Sequence, residues 1–419
     1  MINKKEIATF AKYMVCPDTI VENNSDLSKI GLKDFNNYKY RYNSENYKAD
    51  SKYTNEILLE YIKNAILNTT SQDKKPLLLL SDGKDSLSLA VAYSKLGISC
   101  TTLTLLRSND EEMKQYIQNV TSKMRHQAYF INVDEIMENI DFKSFLESCK
   151  FMDNMVLDQG YLFFLYGLKL FFETNNLDPS EYEVIDGLGN DEYLGHLMSK
   201  QQWRSFKLSM SGIWKILPKS LKSFKWYIRS PAESHGDLST LACFFDISQA
   251  YDLNEYFSKI PKSIKREEYL DFRAFSRGSF HDHQCMMGKT KASAKYLGTN
   301  AVFPFLDEEL ANYCFNIPIE QKLDFEKIIN KIPLRKLLDE TIGWNQQKRG
   351  VDLFFDLDIE KFKIKILNRI VPIDLINILD KNIILNENIK KRAYLELANM
   401  YGYCLSKGLN EKEIRKLLK

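Results

Sequence analysis

The chain has 419 residues, of which 44% are hydrophobic and 27% are charged, and its formal net charge at pH 7 is +2. This composition excludes a disordered chain, and the length predicts about two structural units. The near-neutral charge gives no overall reason to expect a nucleic acid or a membrane as partner. The seven cysteines are dispersed singly, and no apolar run is long enough to span a membrane, so the sequence predicts a cytoplasmic protein with reduced thiols.

The first part of the chain predicts a short lead-in followed by a helix. Residues 1–53 are rich in Tyr, Asn, Asp and Lys and have few periodic apolar positions, which indicates an irregular or strand-containing segment. Residues 54–67 carry apolar side chains at helical spacing, and Thr54 is a suitable N-cap. This helix would lead the chain to the first strand of the core.

Residues 54–199 predict an α/β core. An unbroken apolar run at 77–80 is typical of a strand that is buried on both faces of a parallel sheet. Further strands are predicted at 100–106, 127–133 and 183–186, and helical segments at 110–124 and 157–172 separate them. Alternating strands and helices predict a parallel, doubly wound sheet, whose ligands bind beyond the carboxyl ends of the strands.

The rest of the chain predicts helices. Residues 200–260 form a basic and aromatic insert, in which lysines and arginines alternate with three of the four tryptophans. Such a mixture can stack bases and contact phosphates, but an amphipathic helical insert with solvated lysines is favoured because the total charge is near zero. Residues 261–419 are predicted to be a helical C-terminal part that completes the domain.

The loop after the first strand is Ser81-Asp82-Gly83-Lys84-Asp85-Ser86, and a helix is predicted from Lys84 onward. In a strand–loop–helix unit, the backbone amides and the positive end of the helix dipole point at one spot, which suits a phosphate. The spacing excludes a Walker-type loop, which requires a glycine five residues before Gly83. The alternative is an ordinary strand-to-helix turn, capped by Ser81 or Asp82, with a solvated Lys84 and Asp85.

A second candidate turn follows the strand at 183–186, where the chain runs Asp186-Gly187-Leu188-Gly189-Asn190-Asp191-Glu192. Its glycines allow close approach of the backbone, and Asp191 places a carboxylate at the edge of the sheet where the first loop also lies. Mg²⁺ prefers one or two carboxylates together with phosphate oxygens and water. We therefore predict that Asp85 and Asp191 share a magnesium ion; the alternative is a solvated acidic turn.

These motifs resemble one family. Residues 81–86 resemble the Ser-Gly-Gly-x-Asp-Ser loop of the PP-loop ATP pyrophosphatases, and the second turn resembles the Ser-Gly-Glu-Gly-Ala-Asp-Glu segment of the asparagine synthetase synthetase domain. Further stretches with matching order lie at 290–293, 303–307, 316–318, 331–336 and 347–350. The resemblance covers residues 54–352 and implies an adenine nucleotide alpha hydrolase-like (HUP-like) sheet with ATP and Mg²⁺ as cofactors.

The resemblance implies ATP-dependent amide bond formation through an acyl-adenylate, with release of AMP and pyrophosphate. Carried over by position, the loop would bind pyrophosphate and magnesium, and the backbone near Leu105 and around Asp186 and Gly187 would meet the adenosine. Lys348 would steady the α-phosphate or the tetrahedral intermediate. The residues implied in catalysis are Lys84, Asp85, Asp191 and Lys348, and those implied in cofactor binding are Ser81, Asp82, Gly83, Lys84, Asp85, Ser86, Leu105, Asp186 and Gly187.

Three positions depart from the family pattern. Ile2 stands where the amidotransferases have a nucleophilic cysteine, and the segment before the loop is short, so we expect no glutaminase domain. Leu188 stands where asparagine synthetases have a glutamate beside the reacting groups, which leaves the general base unassigned. Asp82 replaces a glycine; its charge near a phosphate would cost about 3 kcal/mol at an effective dielectric constant of ~20, so we predict that a cation bridges the two.

These departures leave the substrates open. The nitrogen would come from free ammonia, a separate glutaminase or an amine on a substrate, and the carboxylate partner would be a small molecule or a peptide. Two other functions stay open from the sequence. One is a PP-loop enzyme that modifies tRNA with the help of the basic insert, although nucleic acid is not the favoured partner. The other is a non-catalytic pseudoenzyme that binds nucleotide.

Overall fold

A computed structural model describes residues 3–14, 53–195, 199–216, 230–235, 238–254, 260–277, 285–344, 352–382 and 386–419. At its centre is a five-stranded parallel sheet with the strand order β3-β2-β1-β4-β5. The strands are β1 (Lys75–Leu79), β2 (Thr101–Leu106), β3 (Gln127–Asn132), β4 (Tyr182–Ile185) and β5 (Asn300–Val302).

Helices connect the strands and build most of the C-terminal part. The α-helices are α1 (Lys4–Tyr13), α2 (Asn55–Thr69), α3 (Lys84–Lys95), α4 (Glu111–Lys123), α5 (Val133–Asn139), α6 (Phe142–Ser148), α7 (Tyr161–Thr174), α8 (Asp191–Leu194), α9 (Lys200–Met210), α10 (Pro231–His235), α11 (Arg266–Arg277), α12 (Met287–Tyr296), α13 (Glu308–Phe315), α14 (Ile319–Lys322), α15 (Ile332–Ile342), α16 (Ile359–Phe362), α17 (Asn368–Ile370), α18 (Ile373–Asp380), α19 (Glu387–Ser406) and α20 (Glu411–Leu417). Short 3₁₀ turns lie at Cys149–Phe151, Pro179–Glu181, Ile213–Lys215, Thr240–Cys243, Pro304–Leu306 and Leu353–Asp356, and a π turn at Lys363–Leu367.

The sheet places the ends of β1 and β4 side by side. Leu77 of β1 lies opposite Thr101 of β2 on one side and opposite Val184 of β4 on the other. Leu77 and Leu78 are fully buried, as expected for a strand covered on both faces. Because the chain leaves β1 toward β2 and returns later to β4, a crevice opens beyond the carboxyl ends of β1 and β4. The predicted parallel α/β sheet is confirmed.

The core elements agree with the sequence prediction apart from their ends. Helix α2 begins as predicted, since the Thr54 hydroxyl accepts a hydrogen bond of 3.2 Å from the Ile57 amide. Helix α7 begins at Tyr161 rather than at 157, because the Asp158 carboxylate caps a turn by accepting the Gly160 amide at 2.7 Å. A fifth strand, β5, was not predicted; its residue Ala301 pairs with Val184.

The lead-in prediction was wrong for its first residues. Residues Lys4–Tyr13 form a regular helix, in which the Asn3 side chain accepts the Lys5 amide and Ile7, Phe10 and Ala11 are buried. This helix docks through its C-terminal carbonyls, since Ser239 donates its backbone amide to the Lys12 oxygen at 3.1 Å. Residues 15–52 lie outside the described residues.

The basic insert begins with an amphipathic helix, α9. It buries Phe206 and Met210, and the Phe206 ring stacks on Tyr269 with 3.8 Å between centroids. This packing agrees with the interpretation of an amphipathic insert for 200–210, whereas residues 217–229 lie outside the described residues. The boundaries proposed at 53, 199 and 260 stay predictions. Within the described ranges, no helix combines the length and the apolar character required to cross a membrane.

Candidate active site

The loop 81–86 connects the end of β1 to the first turn of α3 and is held by its own serines. The Ser86 hydroxyl accepts the Ser81 amide at 3.1 Å, and the two hydroxyls lie 3.2 Å apart. The Ser81 hydroxyl in turn accepts the Gly83 amide at 3.2 Å. Gly83 is the N-cap of α3 and has no side chain, so no N-cap side chain satisfies the first amides of this helix. The loop therefore has the architecture of an anion-binding turn.

The two charged side chains at the centre of the loop are buried. Asp82 is 5% exposed and Lys84 is 3% exposed. Burial, followed by the nearby charge of Asp82, raises the pKa of Tyr116 on α4 to about 12. The alternative of an ordinary turn with solvated charges therefore does not hold for Lys84. The predicted cation bridge to Asp82 stays a prediction.

Trp344, which is distant in sequence, contacts the backbone of the loop 81–86. Its indole Nε1 donates a hydrogen bond of 3.1 Å to the Asp82 carbonyl, and the Arg335 guanidinium lies 5.3 Å above its ring. Trp344 lies two residues after the end of α15 and is 6% exposed. A residue 262 positions along the chain thus fixes the backbone of the loop.

The second turn packs directly against the first. A Cβ atom at Gly187 would lie 2.9 Å from the Ser86 amide nitrogen and 3.1 Å from the Asp85 carbonyl carbon, so only glycine permits this approach. Three residues on, the Asn190 side-chain amide donates to Asp85 Oδ1 at 3.0 Å. The predicted loop and the predicted acidic turn are therefore one site.

A buried lysine joins the acidic side chains of the two turns. The Lys331 ammonium lies 2.9 Å from Asp85 Oδ2 and 2.9 Å from Asp191 Oδ1, and it also donates to the Asn190 side-chain oxygen. The lysine side chain is only 2% exposed. Burial disfavours its charged form, but Asp191 and Asp85 outweigh that effect and raise the pKa of Lys331 above its ordinary value. The ammonium therefore stays charged at physiological pH.

The same two carboxylates suit a divalent cation. Asp85 and Asp191 converge on one cationic group, and Mg²⁺ is bound by one or two carboxylates with phosphate oxygens and water. The described part of the chain contains no group of three or more His, Cys, Asp or Glu residues that could hold a metal by itself. The residues thus fit a magnesium ion that takes its other ligands from a nucleotide.

Asp186 begins the second turn and is the centre of a buried polar cluster. Its carboxylate accepts the Thr290 hydroxyl at 2.6 Å and the Leu188 amide at 3.2 Å. Burial raises the pKa of Asp186, although Lys289 and these hydrogen bonds oppose the shift. The Lys289 ammonium lies 3.3 Å from Asp158 Oδ1. Asp186 thus shapes the turn that carries Leu188.

Two of the predicted site residues, Leu105 and Lys348, are not seen together with the others. Leu105 is near the end of β2, the strand that pairs with β1. Its side chain occupies the space where a Cβ atom of Gly167 would lie. Lys348, with the whole 345–351 segment, lies outside the described residues. The structure therefore brings together Ser81 to Ser86 with Asp186, Gly187 and Asp191, places Leu105 on the neighbouring strand and gives no position for Lys348.

Four residues of the site were not among the predicted ones: Asn190, Thr290, Lys331 and Trp344. Lys331 is the first residue of a recognised stretch, 331–336, but nothing in the spacing connected that stretch to Asp85. Its position depends on a left-handed backbone conformation, with φ of 54°, which a lysine rarely adopts. A Pro at 333 in the first turn of α15 was the available signal for a fixed helix start.

Comparison with known families gives the site its context. A family model described as Asparagine synthase matches residues 58–361, which is most of the 419 residues. The matched region contains both turns, Lys331 and Trp344. No curated protein matches the chain. The chain belongs to the asparagine synthase family, a family of ATP-dependent ligases of the amidation type.

Proposed function

We propose that the protein forms an amide or other C–N bond in two steps, through an acyl-adenylate, with release of AMP and pyrophosphate. The observation that carries the proposal is the contact between the 81–86 loop and the 186–191 turn at the carboxyl ends of β1 and β4. The N-terminus of α3 thereby lies near two carboxylates, and this supports the binding of one nucleotide triphosphate together with a divalent cation.

In the first step, an oxygen of the substrate carboxylate attacks the α-phosphorus of ATP. The bond between that phosphorus and the bridging oxygen breaks, and pyrophosphate leaves with the electron pair. Negative charge grows on the leaving group, so the loop amides and the buried Lys84 stabilise the transition state more than the ground state. Mg²⁺ at Asp85 and Asp191 would add charge neutralisation at the phosphates.

In the second step, an amine or ammonia attacks the acyl carbon, AMP leaves and one proton is released. We propose that Lys348 stabilises the charge on the α-phosphate or on the tetrahedral intermediate. Leu188 carries no basic group, so we assign no general base, and aspartate is not the substrate we favour. The nitrogen source is a substrate amine, free ammonia or a separate glutaminase, and we place the reaction in the cytoplasm.

The test is a pyrophosphate-release assay with ATP, Mg²⁺ and a panel of small-molecule and peptide carboxylates, with and without ammonium. We expect release with a subset of acids and no requirement for RNA. Lys348→Met is expected to lower the rate on the order of 100-fold, the usual cost of losing one transition-state contact. Lys336→Met, at an exposed position of α15, is the matched control and is expected to keep the wild-type rate.

Three outcomes separate the candidate functions. Release that depends on an acid supports the ligase. Release that requires RNA would instead favour a tRNA-modifying enzyme. Nucleotide binding without pyrophosphate release from any acid, amine or RNA would favour a non-catalytic nucleotide-binding protein.

A further inference from the structure

Lys331 occupies a position that is built around its ammonium group. The residue is the N-cap of α15 and has a left-handed backbone, with φ of 54° and ψ of 42°. This conformation is unfavourable for a side chain with a Cβ atom, so the surrounding structure must hold it there. What it achieves is the placement of a buried ammonium between the loop 81–86 and the turn 186–191.

The contacts of this ammonium are those of a bound cation. It lies 2.9 Å from one oxygen of Asp85 and 2.9 Å from one oxygen of Asp191, and the Asn190 side-chain oxygen is a further acceptor. Asn190 also donates to the second oxygen of Asp85. The oxygens that would receive a divalent cation are therefore already engaged by a charge that belongs to the chain.

This arrangement affects when a metal ion can bind. A free divalent cation would have to displace the ammonium or share the carboxylates with it, and like charges at such short range repel strongly in a buried site. No third metal-ligating residue in the described ranges would compensate. A nucleotide changes the balance, because its phosphates bring negative charge that can satisfy both cations.

We propose that Lys331 is the resident cation of this site, which excludes free divalent metal from Asp85 and Asp191 until a nucleotide arrives. Metal and nucleotide then enter together rather than metal first. The proposal rests on the proposed function only in taking a nucleotide as the ligand that brings the metal. Lys331 acts here as a positioning residue, because it sets the separation of the two carboxylates.

The test measures Mn²⁺ binding to the full chain without nucleotide, by the electron paramagnetic resonance signal of free Mn²⁺. Wild-type protein is expected to bind Mn²⁺ only weakly, and Lys331→Met is expected to bind it about 100-fold more tightly than wild type, because one buried positive charge has been removed. Lys331→Met combined with Asp191→Asn is expected to lose the gain. Lys331→Arg, which keeps the charge, is expected to behave as wild type.

Lys336→Met is the matched control, since it removes an exposed charge from the same helix, and it is expected to leave Mn²⁺ binding unchanged. The proposal is overturned if Lys331→Met gains no Mn²⁺ affinity, or if wild-type protein binds Mn²⁺ as tightly as that variant does. Circular dichroism checks that each variant is folded.

A measurement on wild-type protein keeps the proposal testable if Lys331→Met does not fold. Mn²⁺ is titrated with and without a non-hydrolysable ATP analogue. Tight binding in the absence of the analogue would overturn the exclusion by Lys331. Weak binding without the analogue and tight binding with it are expected. Weak binding in both conditions would contradict the joint entry of metal and nucleotide, and it would also count against nucleotide binding and hence against the proposed function.

Discussion

The close contact of Gly187 with the loop 81–86 leads to a specific prediction for Gly187→Ala. The new Cβ atom would lie 2.9 Å from the Ser86 nitrogen, 3.1 Å from the Asp85 carbonyl carbon and 3.2 Å from the Ser86 Cα. All three are backbone atoms at the start of α3, so no side-chain rotation can relieve the contact. The two turns must move apart.

The size of the effect follows from these distances. Ordinary contacts begin at 3.4 Å, so the shortest contact of 2.9 Å requires a separation of about 0.5 Å. Overpacking of this kind costs about 1–3 kcal/mol of stability, of which alanine recovers roughly 0.4–1 kcal/mol through a less flexible unfolded chain. A displacement on the order of 1 Å in a reacting site costs up to about 100-fold in rate, so for the separation of about 0.5 Å we expect the rate of pyrophosphate release to fall about 10-fold in Gly187→Ala.

Urea unfolding measures the loss of stability, the pyrophosphate-release assay measures the loss of rate, and calorimetry measures the nucleotide affinity, which is expected to fall as well because the two turns move apart. Gly402→Ala is the control. Gly402 lies on α19, and a Cβ atom there would meet Cys149 Sγ at 2.6 Å. This variant is expected to lose stability and to keep its nucleotide affinity. If Gly187→Ala binds ATP as wild type does, or if both variants lose affinity equally, the two turns do not form one nucleotide site.

Two further predictions concern single buried groups. Trp344→Phe removes the hydrogen bond of 3.1 Å to the Asp82 carbonyl. ATP affinity, measured by calorimetry, is therefore expected to fall by roughly 1 kcal/mol, or about fivefold. Unchanged affinity would show that the loop needs no support from Trp344. Burial raises the pKa of Glu396 on α19 from 4.5 to about 7. Between these pH values the folded chain holds a proton that the unfolded chain has lost. The free energy of unfolding is therefore expected to fall as pH rises through this range. The total decrease is roughly 3 kcal/mol across pH 4.5–7. Glu396→Gln is expected to remove it in urea titrations, and an unchanged decrease would assign it to other groups.

The sequence predicted the sheet well because its signals are local. The apolar run at 77–80 and the serine-rich loop after it lie within ten residues, and Thr54 caps α2 as expected. Helix α1 could also have been predicted, since Asn3, Ile7 and Phe10 have the spacing of a capped amphipathic helix. Strand β5 could not have been predicted, because its three partly exposed residues show no periodicity and form a strand only through their pairing with β4.

The candidate site was predicted only in part for the same reason. Asp85 and Asp191 stand in recognisable motifs, whereas the role of Lys331 arises from tertiary contacts and from an unfavourable backbone conformation. The Trp344 indole likewise reaches the loop across 262 positions of the chain. No periodicity or short motif encodes contacts of this range.

The distance along the chain between Asp85 and Lys331 has a consequence for biosynthesis. The two residues are separated by 246 positions. A ribosome that adds about 5–20 residues per second would need roughly 10–50 s to make that stretch. A nascent chain therefore carries Asp85 long before the Lys331 ammonium that pairs with it emerges, so the site can form only after most of the family domain has been translated.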